Sequence, residues 1–178
     1  IQEAAGLAFA NPSSQHAAGR LAKRLLEDAR EKILEIVGGR TAGASRDRLI
    51  FTSGATEANR TAMLGLGVEG CRVAVSPRDH PSVQSAAAEL AARGHAVRTL
   101  PLEPDGTLSR VALADEIESA GACGLLLTVT PVCGQTGLRD ASPKAGIPVV
   151  IHADATQAAA WDALEFASSA WTSMTLAP

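Results

Sequence analysis

Arg72-Val73-Ala74-Val75-Ser76 is a short apolar run, and Ala96-Val97-Arg98-Thr99-Leu100-Pro101-Leu102 is a second. Between them, residues 81–93 begin at Pro81, are rich in Ala and end before Gly94. Strand, helix, strand is the reading, and it repeats on both sides. Downstream, Asp105-Gly106 signals a turn and Ser109 can cap a helix over residues 110–119. Residues 125–130 and 148–152 read as strands, 155–160 as the start of a short helix, and 173–176 as a last strand. Upstream, Ser13 or Ser14 can cap a helix over residues 13–37, in which Leu21, Leu25, Ala29, Ile33 and Val37 form one apolar stripe. Leu49-Ile50-Phe51-Thr52 reads as a buried strand, broken by Ser53-Gly54, with a helix from near Thr56 to Leu66. Strands alternating with helices define an α/β protein: an open, mostly parallel sheet with helices on both faces.

Composition agrees with that class. Of 178 residues, 46% are hydrophobic and only 3% aromatic, with no Tyr, so Ala, Leu, Val and Ile must build the core. The formal net charge is −3 and no basic block occurs, which argues against nucleic-acid or membrane-surface partners. No apolar run is long enough to span a bilayer. Cys71, Cys123 and Cys133 form no C-x-x-C pair, which argues against a disulfide framework or structural zinc and fits a reducing cytoplasm. Residues 1–178 are expected to form one cofactor-binding domain cut at both ends, since Ile1 is not Met and Pro178 falls in the exit of a strand. The connection over residues 138–146 is short for a parallel crossover.

Ligands of open α/β sheets bind beyond the carboxyl ends of the strands. Three motifs fall there. Thr52-Ser53-Gly54-Ala55-Thr56-Glu57 lies between a strand and a helix, where free N–H groups and the Ser53 and Thr56 hydroxyls suit a phosphate. The competing reading is that Thr56 simply caps the helix. Asp79-His80-Pro81-Ser82-Val83 places His80 just after a strand, where an imidazole could stack on an aromatic cofactor or shuttle a proton; a surface His near a helix start is the alternative. His152-Ala153-Asp154-Ala155-Thr156-Gln157 follows the apolar run 147–151 and delivers Asp154 to a strand end. A buried carboxylate needs a cationic or hydrogen-bonding partner, and a protonated pyridine nitrogen is one. Helix capping by Asp154 is an alternative; one His with one Asp is too few for a metal site.

Taken together the motifs resemble those of the cysteine desulfurases, within the class V aminotransferases. Asn11-Pro12-Ser13-Ser14-Gln15-His16 is similar to that family's N-P-S-S-x-H, and Phe51 to Asn59 to its F-T-S-G-x-T-E-x-N. Asp79 to Val83 is similar to E-H-P-S-V, and His152 to Gln157 to H-x-D-A-x-Q. The resemblance implies the large domain of a pyridoxal-phosphate (PLP) transferase fold, incomplete here. It implies that Ala55 and Thr56 bind the PLP phosphate, that His80 stacks on the pyridine ring and handles a substrate proton, that Asp154 pairs with the ring nitrogen, and that Gln157 bonds the ring hydroxyl. The implied reaction removes sulfur from cysteine, giving alanine and an enzyme persulfide. A homodimer, and a sulfur-accepting protein partner, come with the resemblance.

The chain departs from the family pattern in places. Gly134, in Cys133-Gly134-Gln135-Thr136-Gly137, stands where the family's N-N-E-x-G has an Asn beside the cofactor. Ala177 stands where a phosphate-binding Ser is usual, and the Schiff-base Lys would follow Pro178. Lys144 does not match that position, and none of the three cysteines matches the catalytic one. The chain alone is therefore expected to form no covalent link to PLP and to be inactive. Two alternatives stay open: another class V enzyme (a selenocysteine lyase, a kynureninase-like hydrolase or an aminotransferase), or a non-catalytic remnant of the fold.

Overall fold

The computed structural model describes residues 10–140 and 149–177. The expected short connection over 138–146, with Lys144, lies largely outside those residues, as do Ile1, Pro148 and Pro178. The chain divides into two compact units, residues 1–51 and 52–178.

In the first unit, α1 spans Ala17–Ile36. Neither Ser13 nor Ser14 caps it. The cap is His16, whose Nδ1 accepts from the Gly19 N–H at 3.2 Å. Asn11 explains the change. Its side chain accepts from Ser13 N (2.8 Å) and its carbonyl from Ser14 N (3.0 Å), so both serines are taken up in a preceding turn. That turn folds onto Gly19, where a Cβ would lie 2.4 Å from the Ser14 carbonyl oxygen, so only glycine fits. The strand expected over Leu49 to Thr52 does not form: no strand among the described residues pairs with it. The Arg30 guanidinium lies over the Phe51 ring instead, 5.4 Å from its centroid.

The second unit carries the sheet. In chain order it holds α2 (Ala55–Leu66), β1 (Arg72–Val75), α3 (Pro81–Ala92), β2 (Val97–Thr99), α4 (Arg110–Ala120), β3 (Leu125–Val129), β4 (Val149–Asp154) and β5 (Ser173–Thr175). The strand order is β2-β1-β3-β4-β5, and every pairing is parallel. Side chains alternate between the two faces with the strand period of two. Val73, Val75 and Leu126 pack with Met63 of α2 and Val83, Ala86 and Leu90 of α3. Ala74, Leu125, Leu127, Ile151 and Ala153 pack on the other face with Ala112 and Ala120 of α4. Helices thus cover both faces, as the alternation of elements implies.

Local chemistry trims some expected elements and lengthens others. β2 is shorter than 96–102: Leu100 N still donates to Val75 O (2.8 Å), but beyond it the chain turns to other partners, Pro101 O accepting from Ser109 N (3.0 Å) and Leu102 bridging Leu108. β4 runs on to Asp154, and Ala155 N extends the pairing to Thr175 O (3.0 Å). The chain is therefore still extended where a helix over 155–160 is expected, and only a 3-10 turn, Ala158–Ala160, follows. Ser109 caps α4 as expected, its Oγ accepting from Ala112 N at 3.4 Å. An ion triad centred on a buried carboxylate ties these elements together: Glu116 of α4 accepts from the partly exposed Arg72 Nε (2.6 Å) and the exposed Arg98 Nη1 (2.9 Å). Burial pushes the Glu116 carboxyl up, but the two guanidiniums outweigh it and hold it below the usual range. No helix among the described residues is long and apolar enough to cross a membrane.

Candidate functional site

The start of α2 is uncapped by any side chain. Gly54 occupies the cap position, and the first helical bond runs from Ala58 N to Gly54 O (3.1 Å). The N–H groups of Ala55, Thr56 and Glu57 therefore have no acceptor within the helix. Thr56 lies inside the helix, which rules out its being the cap. Its side chain is exposed and hydrogen-bonds to no described residue. Ser53 differs: its Oγ donates to Glu57 Oε2 (2.6 Å), as does its N–H (2.7 Å), so that hydroxyl is already engaged. These bonds from Ser53 also hold the Glu57 carboxyl below its usual range.

His80 ends the loop after β1 and caps α3, with Pro81 in the first turn. Its Nδ1 lies 3.2 Å from Ser82 N and 2.8 Å from Ser82 Oγ, and the residue is exposed. The buried Asp79 holds the loop to β3. It accepts from Ser76 N (2.8 Å), from Thr130 Oγ1 (2.8 Å) and from Thr128 Oγ1. Burial pushes the Asp79 carboxyl up, against those donors and with help from the Asp154 charge.

His152 and Asp154 stand two residues apart on β4, on the face that meets α2. Asn59, fully buried on α2, joins them: its Nδ2 donates to Asp154 Oδ2 (2.8 Å) and its Oδ1 lies 3.0 Å from His152 Nε2. Desolvation lowers the His152 pKa to about 4, against a smaller opposing pull from Asp154, so the ring is neutral. Asp154 Oδ1 accepts from Thr156 Oγ1 (2.8 Å) and Thr156 N (3.3 Å), a local turn rather than a helix cap. A carboxylate offers about four lone-pair sites, and these contacts fill three. No Arg or Lys among the described residues pairs with Asp154. Nor does any group of three or more His, Cys, Asp or Glu among them gather as metal ligands would.

Asn59 connects two of the expected subsites. It sits one helical turn after Ala55, on the same side of α2, so the free N–H groups at the helix start lie about 6 Å along the axis from it. Its other amide proton goes to Ser82 Oγ (3.0 Å), which leads to His80. Ala55, Thr56, His80 and Asp154 are thus brought to one end of the unit. Gln157 is exposed and lies over Gly134, where a Cβ would meet Gln157 Cγ at 2.9 Å and Cδ at 3.1 Å. Beside it the buried Cys133 thiol is pushed up by burial, but hydrogen bonds from Thr136 and backbone N–H groups, with Arg78 nearby, bring it below its ordinary value.

Residues 2–167 match the aminotransferase class-V family, and the chain belongs to that family. It is 31% identical over 156 residues to cysteine desulfurase IscS 1 of Archaeoglobus fulgidus, covering 83% of this chain and 39% of that protein. It is 33% identical over 164 residues to a cysteine desulfurase of Cereibacter sphaeroides, covering 84% and 39%. Among solved structures, DndA from Streptomyces lividans superposes with a TM-score of 0.66 at 31% identity, covering 88% of this chain and 46% of that one. The chain thus spans well under two thirds of the length of these relatives.

Asn59, Ser82, Asp79 and Ser173 are the site's connecting residues that the sequence reading does not single out for a role. A signal existed for one of them: Asn59 falls four residues after Ala55, on the face that the phosphate motif must share.

Proposed function

We propose that residues 52–177 form the PLP cradle of an enzyme that removes sulfur from cysteine, giving alanine and leaving a persulfide on the protein. One observation carries this reading. Asp154 is a buried carboxylate with an open lone-pair site and only neutral donors around it among the described residues. A buried charge in that state calls for a cationic partner, and a protonated pyridine nitrogen fits. The uncapped start of α2 fits the other end of the cofactor, since an anion there meets free N–H groups and a favourable dipole.

When bound, PLP supplies an electron sink for bonds at the α-carbon of an amino acid. The chain's own residues do the rest. Ala55 and Thr56 bind the phosphate by backbone N–H and hydroxyl. Asp154 keeps the proton on the ring nitrogen. The His80 imidazole would lie against the ring, and Gln157 would bond the ring hydroxyl. The substrate rests on the desulfurase relatives; a homodimer whose second copy completes the phosphate site and a sulfur-accepting protein rest on the family resemblance, and a cytoplasmic setting on the cysteines, which form no C-x-x-C pair. Gly134, which offers no side chain where the family has an Asn beside the cofactor, favours a second reading, in which the cradle binds cofactor but serves a different class V reaction or none.

Full-length protein incubated with PLP, cysteine and a thiol reductant is expected to form alanine and sulfide in equal amounts. PLP binding without alanine formation would favour the second reading.

A further inference from the structure

We propose that Asn59 and Ser82 are positioning residues that order the protons between Asp154 and His80, so that His80 holds its proton on Nε2 and offers a hydrogen-bond donor rather than a base. The inference rests on the functional reading only in taking the exposed side of His80 as the cofactor side.

The order follows from one fixed end. A carboxylate accepts and does not donate, so the Asn59 atom at 2.8 Å from Asp154 Oδ2 is its amide nitrogen. The amide oxygen then faces His152 Nε2 (3.0 Å), which must donate. With its proton there, His152 Nδ1 accepts from Ser173 Oγ (2.7 Å). The second amide proton of Asn59 points at Ser82 Oγ (3.0 Å), so that hydroxyl accepts and keeps its own proton free. His80 Nδ1, at 2.8 Å, receives it.

A second donor makes the same demand. The Ser82 backbone N–H also points at His80 Nδ1 (3.2 Å), as capping of α3 requires. A backbone N–H cannot become an acceptor, so a proton on Nδ1 would face this donor whichever way the Ser82 hydroxyl turns. The proton therefore sits on Nε2. Ser82 carries the order set at Asp154 out to the exposed His80 ring.

The test is the tautomer of His80, read from long-range proton–nitrogen correlation spectra of the full-length apo protein with labelled histidine, at neutral to mildly alkaline pH. The expected result is the Nε2–H form, with its excess over the Nδ1–H form reduced about 2- to 10-fold in Ser82→Ala, the worth of one hydrogen bond. Asn59→Asp is a second variant: it offers Ser82 an acceptor, draws the hydroxyl proton away from His80 and should lower the excess similarly. An Nδ1–H tautomer in the unaltered protein, or an unchanged ratio in Ser82→Ala, would overturn the proposal. These spectra need no cofactor. A full-length protein that shows the expected tautomer yet fails to bind PLP would count against the proposed function and leave this inference standing.

Discussion

Asn59 on α2 and Asp154 at the end of β4 are 95 positions apart in sequence, yet they share a buried 2.8 Å hydrogen bond. Through it the helix whose start suits a phosphate is locked to the strand whose end suits a ring nitrogen. The same amide serves His152 and Ser82, so both its protons and its oxygen are engaged.

Removing that amide should therefore cost more than one bond. Asn59→Leu strands His152 Nε2, takes a donor from Asp154 and leaves a buried apolar group against a carboxylate. A loss of ~3 kcal/mol of stability is expected, from one or two buried polar groups left unsatisfied. Chemical denaturation of the full-length protein measures it; a change within ~0.5 kcal/mol, typical of an ordinary surface substitution, would show that the network does not bind the elements together.

His152 gives a pH dependence with a definite sign. Its pKa falls from 6.5 to about 4 on folding, so the unfolded chain binds more protons between those values. Its contribution to stability is complete above about pH 6.5, declines by up to ~3 kcal/mol as pH falls toward 4, and changes no further below that. Asp79, raised by burial, works the other way on a more acidic group, so the direct readout is the better one. Nuclear magnetic resonance titration should show His152 neutral throughout the mildly acidic range. A midpoint near 6.5 would contradict its burial.

The Gly134–Gln157 contact predicts a coupling. A Cβ on Gly134 would sit 2.9 Å from Gln157 Cγ, so Gly134→Ala must displace that side chain. The substitution should cost about 1 kcal/mol, and much of that should vanish in the Gln157→Ala background. A double-mutant cycle with no coupling would mean that Gln157 does not rest there in solution.

Much of this was legible in the sequence, and the exceptions have physical causes. The alternation of apolar runs and helices defines the parallel sheet, because side-chain period and turn residues are local signals. Leu49 to Thr52 has the apolar content of a strand, but a strand also needs a neighbour to pair with, and composition does not report one. The cap of α1 fell to His16 because Asn11 captures both serines, a preference between close neighbours that residue type alone does not rank. β4 outran its expected end because Thr175, on another strand, pairs onward to Ala155. At the site, Ala55, Thr56, His80 and Asp154 were marked by motif, whereas Asn59 and Ser82 matter through contacts that exist only once α2, α3 and β4 pack.

Asp154 is proposed as the partner of a cofactor's ring nitrogen. Titration of full-length apo protein with PLP, followed by absorbance, tests it most directly when Asp154→Asn is measured beside the unaltered protein. Saturable binding is expected, weakening about 10- to 100-fold in Asp154→Asn, the worth of one charge-assisted hydrogen bond. Equal affinity in the two proteins, or no binding by either, would contradict it.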